Sequence, residues 1–116
     1  MKPNTKFIQG AFPFEGDGFD TPRPLGIRAL YQVPPDKRAQ LIYMRAGNPT
    51  SELVALLLTR NSRPMRYFPV GAKATSHVSL AVVEDIFPES NIEIFIIAPA
   101  GHAGMVIVDF GFVELD

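Results

Sequence analysis

An all-β fold, an antiparallel β-sandwich of about eight strands, is what this sequence predicts, and three observations predict it. Proline and glycine recur about every ten residues, at Pro22, Pro34, Gly47, Pro64, Gly71, Pro88 and Gly101 among others, and segments of that length suit strands better than helices. The segments between these breaks are apolar runs separated by turn signals, a pattern that needs only the short connections of hairpins and Greek keys. At 116 residues, with no tandem repeat, low-complexity tract or charged tail, the chain is expected to form one domain over 1–116.

Taken in order, the candidate strands are 6–12, 25–33, 37–46, 52–59, 65–70, 76–84, 91–98 and 104–115. The first runs into AFPFEGDGFDTPRP, residues 11–24. There Phe12, Phe14 and Phe19 are interspersed with glycine, proline and acid, so a long irregular loop is expected, with enough apolar mass to pack on something. Its acids Glu15, Asp17 and Asp20 are spaced loosely like a calcium loop. They lack the full ligand spacing and the closing glutamate of an EF-hand, so the reading is a structural loop. The second segment opens after Pro24 and closes at the turn Val33-Pro34-Pro35.

The fourth segment, within NPTSELVALLLTRNS, has a competing helical reading, with Asn48 as N-cap, Pro49 at the first helical position and Glu52 in the first turn. Leucine and alanine favour it. Pro64 and the Asn61-Ser62 pair leave room for only about three turns, however, and a helix apolar on every side would need complete burial, so strand is preferred. Arg60 then ends one strand of a hairpin and Arg66 begins the next, and Pro64 keeps Arg60, Arg63 and Arg66 off a common helical stripe. His77 opens the sixth segment, and Glu84-Asp85 end it ahead of the turn at Phe87-Pro88.

Period-two geometry exposes a surplus. In 52–59, Leu53, Ala55 and Leu57 point to one face and Val54, Leu56 and Leu58 to the other. The same holds for LAVVED (Leu80 and Val82 against Ala81 and Val83), for IEIFIIA (Ile92, Ile94 and Ile96 against Phe95 and Ile97) and for MVIVDF (Val106 and Val108 against Met105 and Ile107). A sandwich wetted on both outer faces should alternate apolar with polar. An exposed face of this kind would form a contiguous patch of several hundred Å², which monomers rarely carry. Part of an outer face is therefore expected to be covered by a second copy of the chain; the alternative is that the loop 12–24 folds over it as a lid.

Charge and composition set further limits. Eleven Lys and Arg against twelve Asp and Glu leave a net charge of −1, without the basic surplus that phosphate backbones or anionic membranes attract, so neither nucleic acid nor membrane is an expected partner. The absence of cysteine removes disulfides, thiolate nucleophiles and sulfur ligands together. No stretch has the apolar length of a signal peptide core or a membrane span, which makes the cytoplasm the expected location.

Candidate chemistry is sparse. His77 and His102 are the only histidines, and neither stands at a recognisable ligand spacing from Asp109 or Glu84, so no metal is expected. Ser76 and Ser79 sit in no glycine-flanked strand-turn-helix elbow. Glu84 and Asp85, as strand neighbours, would face opposite sides. No nucleophile, base and orienting partner can be assembled, so neither an enzyme nor a cofactor is expected. The polar groups suited to recognition are Arg45, Asn48, Arg66, Tyr67 and His77. A guanidinium presents a planar fork to carboxylate or phosphate, and arginine, asparagine and tyrosine together suit sites that read sugar or carboxylate oxygens.

The closing stretch GMVIVDFGFVELD resembles the last strand of galactose-binding-like jelly rolls and carbohydrate-binding modules, where a glycine precedes an apolar run, an aspartate and a final alternating segment. Those positions here are Gly104, Val106, Val108, Asp109, Phe112 and Val113. The turn at Val33-Pro34-Pro35, followed by an apolar strand and then paired strands, is similar to the same class. The resemblance implies a jelly-roll sandwich and ligand binding on a concave sheet or at loop tips. Two functions are thus expected to compete: a noncatalytic, structural or adaptor jelly roll that self-associates through an apolar sheet face, and a small module binding a carbohydrate or small anion at Arg45, Asn48, Arg66, Tyr67 and His77.

Overall fold

Alternation along the strands builds the molecule. The structure, a computed structural model, describes residues 4–116. Its nine strands are β1 (Asn4–Glu15), β2 (Gly18–Pro24), β3 (Leu30–Gln32), β4 (Arg38–Asn48), β5 (Val54–Arg60), β6 (Arg63–Val70), β7 (Ala74–Ser79), β8 (Asn91–Ala98) and β9 (Ala103–Leu115). A four-stranded antiparallel sheet has the order β1-β9-β4-β7, and a five-stranded one the order β2-β8-β5-β6 with β3 also paired to β8. Together they form a jelly-roll β-sandwich. Every second residue of the central strands faces the partner sheet: Val54, Leu56 and Leu58 from β5, Ile92, Ile94 and Ile96 from β8, Val106, Val108, Phe110 and Phe112 from β9, and all ten are buried. Phe68 of the five-stranded sheet meets Phe110 of the four-stranded one edge to face, centroids 5.7 Å apart, and joins the two layers.

The segment 52–59 is a strand. Its leucines are divided by the pleat, and the hairpin that follows turns on Asn61 and Ser62, both at positive φ (50° and 67°), as a tight two-residue connection between right-twisted strands requires. Arg60 and Arg63 face each other across that turn.

Three expectations need correction. Residues 11–24 are not an irregular lid. β1 continues to Glu15 with Phe12 and Phe14 in the core, and β2 follows as an edge strand, because alternation in FIQGAFPFE outweighs its glycine and proline. After the connection at Gly16-Asp17, only 19–22 within β2 depart from pairing, four residues set opposite the single β8 residue Ile97. Segment 25–33 is a 3-10 turn at Ile27–Ala29 followed by the three-residue β3. Segment 76–84 is strand only to Ser79; LAVVED is a loop that leaves Val82 exposed and regains β4 through the single bridge Ala39 to Ile86.

The apolar surplus is also smaller than the sequence implies. Leu57 and Ile97 point away from the core, yet they are only 3% and 5% exposed. Leu57 lies between Tyr67 and Phe95 in register, and these large neighbours shield it. The large exposed apolar side chains on the four-stranded sheet are Phe7, Ile42, Met105 and Ile107.

One polar pair, half-buried Tyr31 of β3 and buried Glu114 of β9, joins the two sheets. Tyr31 donates to Glu114 at 2.5 Å, and the Glu114 carboxyl is buried. Burial, then the hydrogen bond and charge of Glu114, push the Tyr31 phenol well above its usual value. A raised folded-state pKa stabilises the fold below the unfolded tyrosine value, near 10, and that contribution is lost as pH rises through the folded value. Tyr31→Phe is expected to cost about 1–3 kcal/mol near neutral pH by leaving the buried carboxylate without its donor. It should also flatten the alkaline limb of a stability-against-pH curve from urea melts; an unchanged limb would refute the linkage.

Candidate functional site

The outer face of the four-stranded sheet carries a transverse row to which all four strands contribute. In register, His77 of β7 lies beside Arg45 of β4, Arg45 beside Asp109 of β9, and Asp109 beside Gln9 of β1. Parity places them outward, because their neighbours Val108, Phe110, Met44 and Ala46 are core residues. Asp109 is the hub. Its carboxylate accepts from Gln9 Nε2 at 3.1 Å, from the Tyr43 hydroxyl at 2.9 Å and from an Arg45 guanidinium nitrogen at 2.7 Å. Burial works to raise the Asp109 carboxyl, but the three donors and the Arg45 charge outweigh it and hold the group below its ordinary value. It stays an anion.

The adjoining rows differ in chemistry. On one side stand Ser79, Tyr43, Gly111 and Phe7. The Tyr43 ring lies directly over Gly111, where a Cβ would run into it, and Arg45 stacks on the same ring at 5.2 Å. Burial and the hydrogen bond to Asp109 push the Tyr43 phenol up. Glycine at 111 is therefore what lets tyrosine lie flat and reach the aspartate. On the other side stand Thr75, Gly47, Ile107 and Ala11. Gly47 has no side chain to fill its place between Thr75 and Ile107, which leaves a depression of about 350 Å³ walled by these residues and rimmed by Arg45, His77 and Asp109. Met105, Pro13 and the 56%-exposed Ile107 continue the apolar surface beyond it.

The five residues singled out in the sequence do not form one pocket. Arg45 and His77 come together as cross-strand neighbours. Asn48, on the same strand as Arg45, faces inward and is buried. Its amide nitrogen donates to the carbonyls of Glu52, Val70 and Gly71, and its oxygen accepts from the backbone and hydroxyl of Thr50. Arg66 and Tyr67 belong to β6 in the other sheet. Arg66 reaches the Val82 carbonyl at 3.1 Å and Glu84 at 3.4 Å, and Tyr67 is 60% exposed on that sheet's outer face. Asp109, Tyr43, Gln9 and Gly47 complete the constellation that Arg45 and His77 begin. Their signal was parity, since Asp109 falls out of phase with the apolar set Val106, Val108, Phe110. Among the described residues no three His, Asp or Glu side chains gather in a way that could hold a metal ion, and no helix is long and apolar enough to cross a membrane.

No family model matches this chain, and no curated protein matches it. Among solved structures it is similar to a family 35 carbohydrate binding module from Clostridium thermocellum, with a TM-score of 0.52 and 12% identity over 94% of this chain and 97% of the module. It is also similar to a chain of infectious bursal disease virus, Gx strain (TM-score 0.48, 10% identity, 99% of this chain and 33% of that one). A third likeness is to an exo-beta-1,3-galactanase from Phanerochaete chrysosporium with galactose (TM-score 0.43, 11% identity, 98% and 29%). This chain spans about a third of the viral and galactanase chains. At 12% identity the likeness to the module is one of fold, a jelly-roll sandwich.

Proposed function

We propose that the chain is a noncatalytic binding domain that takes a small polyhydroxylated ligand, of the carbohydrate class, on the outer face of its four-stranded sheet. The observation that carries this reading is the row His77-Arg45-Asp109-Gln9 lying directly beside the depression over Gly47. Asp109 uses its oxygens to fix three donors, and Arg45, half exposed, keeps further N–H groups facing solvent. A carboxylate acceptor next to a guanidinium donor, both held by neighbours, suits adjacent hydroxyls that donate to one and accept from the other. The depression offers an aliphatic floor for the C–H side of a sugar ring; with no tryptophan in the chain, stacking on an indole is replaced by contact with Ile107 and Thr75. A site of this kind binds without reacting. Its one carboxylate is kept ionised by three donors and has no second carboxyl beside it to act as acid or nucleophile. The fold likeness to a carbohydrate binding module agrees with this reading.

The test is a titration of the protein with a panel of neutral and acidic mono- and oligosaccharides, followed by amide chemical shifts. The expected result is saturable shifts confined to Arg45, Gly47, Thr75, His77 and Asp109, and a loss of affinity of tenfold or more, about 1.4 kcal/mol, in Asp109→Asn. A panel that leaves these amides unmoved refutes the proposal.

A second reading, self-association of the chain through an apolar sheet face, draws support from the exposed Phe7, Met105 and Ile107 on the same face.

A further inference from the structure

The five strands at the sheet edges differ in how they are protected, and β3, beside β2 on β8, is only three residues long, too short to template another strand. β1 carries Pro13, which lacks a donor, and Lys6 paired opposite the inward Phe112. The turn Ile27–Ala29 packs against β1, with Arg28 stacked on Phe12. β2 holds Pro22 and Pro24 and the four-residue departure opposite Ile97. β6 holds Pro64 and Pro69 and a register shift between them. Proline, bulges and inward charges are the devices by which sheets refuse further strands. β7, ATSHVS, has none of them: no proline, no lysine, arginine or acid, and an unbroken register with β4 from Ala74 to Ser79.

The direction of its backbone follows from one hydrogen bond. Leu80 N donates to Ile42 O, which continues the β4–β7 register and assigns the even-numbered residues of β7 to β4. The N–H and C=O groups of Thr75, His77 and Ser79 consequently point away from the sheet along its free side.

We infer that a second copy of this chain pairs with β7 in antiparallel fashion about a two-fold axis, joining two four-stranded sheets into one continuous eight-stranded sheet. This goes beyond the ligand-binding reading and does not rest on it. Three features select a second copy as the occupant. A two-fold centred on His77 sets Thr75 of one copy against Ser79 of the other, so every outward donor meets an outward acceptor on the same face. Antiparallel pairing sets Lys73, just before β7, opposite the start of the other copy's loop 80–85, whose acids Glu84 and Asp85 are already held within one copy by Arg66 and Arg38, whereas parallel pairing would oppose like ends. That loop follows the same side of β4 as β7 does and exposes Val82 and Val83, apolar surface that the other copy would cover. The isologous contact closes on itself and leaves no new edge, since β1 lies at both outer ends and is guarded.

Sedimentation of the wild-type chain from micromolar to millimolar concentration, with Ser79→Pro, His77→Pro and Ile107→Lys beside it, tests the inference. The expected result is a species of twice 12.8 kDa that reverts to one chain mass in the proline variants and survives Ile107→Lys. Proline at either position removes an outward backbone donor and no hydrogen bond to β4, as Pro69 already does in β6; Ser79→Pro does so without touching the row at His77. A wild-type chain that stays monomeric throughout, or a dimer that persists in both proline variants or is lost in Ile107→Lys alone, overturns it. Should the proline variants fail to fold, hydrogen exchange of the wild type decides. Amides of Thr75, His77 and Ser79 that become protected as concentration rises uphold the pairing; amides that exchange freely at every concentration, or are protected only when a different protein is added, refute it.

Discussion

Replacing Phe110 by alanine is expected to lower the unfolding free energy by about 3–5 kcal/mol, the largest loss from any single truncation in the core. Phe110 is fully buried at the centre of β9, and it is the residue through which the four-stranded sheet touches Phe68 of the other layer. Truncation removes the transfer energy of the ring, leaves a cavity between two sheets that cannot close on it, and forfeits the edge-to-face contact. In a domain of this size, where each kcal/mol moves the midpoint by about 4 °C, the melting temperature should fall by roughly 10–20 °C. Thermal melts followed by circular dichroism measure it, and a fall of only a few degrees would mean that the layers are joined elsewhere.

Asn48→Ala is expected to cost about 2–4 kcal/mol, an outsized effect for a polar residue. The amide of Asn48 ties three carbonyls, those of Glu52, Val70 and Gly71, while its oxygen holds Thr50. The residue thereby fixes the ends of β4, β5 and β6 to one another. Alanine takes the Asn48 donor from all three, of which the bond to the Val70 carbonyl is buried. Asn48→Asp should be worse still, since it turns a carboxylate toward three carbonyl oxygens. Urea midpoints of the two variants check the order, and Tyr67→Ala, at an exposed site, is the control expected to stay within about 0.5 kcal/mol. An Asn48→Ala midpoint as close to wild type as that of Tyr67→Ala would show that the three strand ends are held by other means.

Much of the architecture was legible because it is written in period two. Asn91–Ala98 and nearly all of β4, β5 and β9 follow from apolar alternation between turn signals, and Leu53–Leu58 reads as strand once Pro64 limits the space for a helix. What parity alone could not decide is which partner each face meets. Leu57 and Ile97 read as surface in search of a cover, yet Tyr67 and Phe95 beside Leu57 already shield it within one chain, a relation that depends on register across strands far apart in sequence. Leu80–Asp85 has the composition of a strand without any strand to pair with, and so becomes a loop. β2 was hidden for the opposite reason: its proline and glycine look like a loop, but an edge strand needs to pair on only one side.

The candidate site was half legible. Arg45 and His77 were marked by residue type, and register makes them neighbours. Asn48, Arg66 and Tyr67 carry the same kinds of polar group, but they are committed to tying strand ends, holding a loop and covering Leu57. Gly47 and Gly111 could not be read from type at all. Their value is the side chain they lack, one leaving a hollow and the other making room for a tyrosine, and both depend on what stands in the next strand.

The spine of the four-stranded sheet is its final strand, with β1 on one flank and β4 on the other. A nascent chain therefore carries its first strand unpaired until translation has delivered Ala103–Leu115, and no stable fragment that stops short of Ala103 can contain this sheet. Closing so long a loop belongs to the slow regime of folding, milliseconds to seconds, and throughout that wait FIQGAFPF lacks the strand it pairs with.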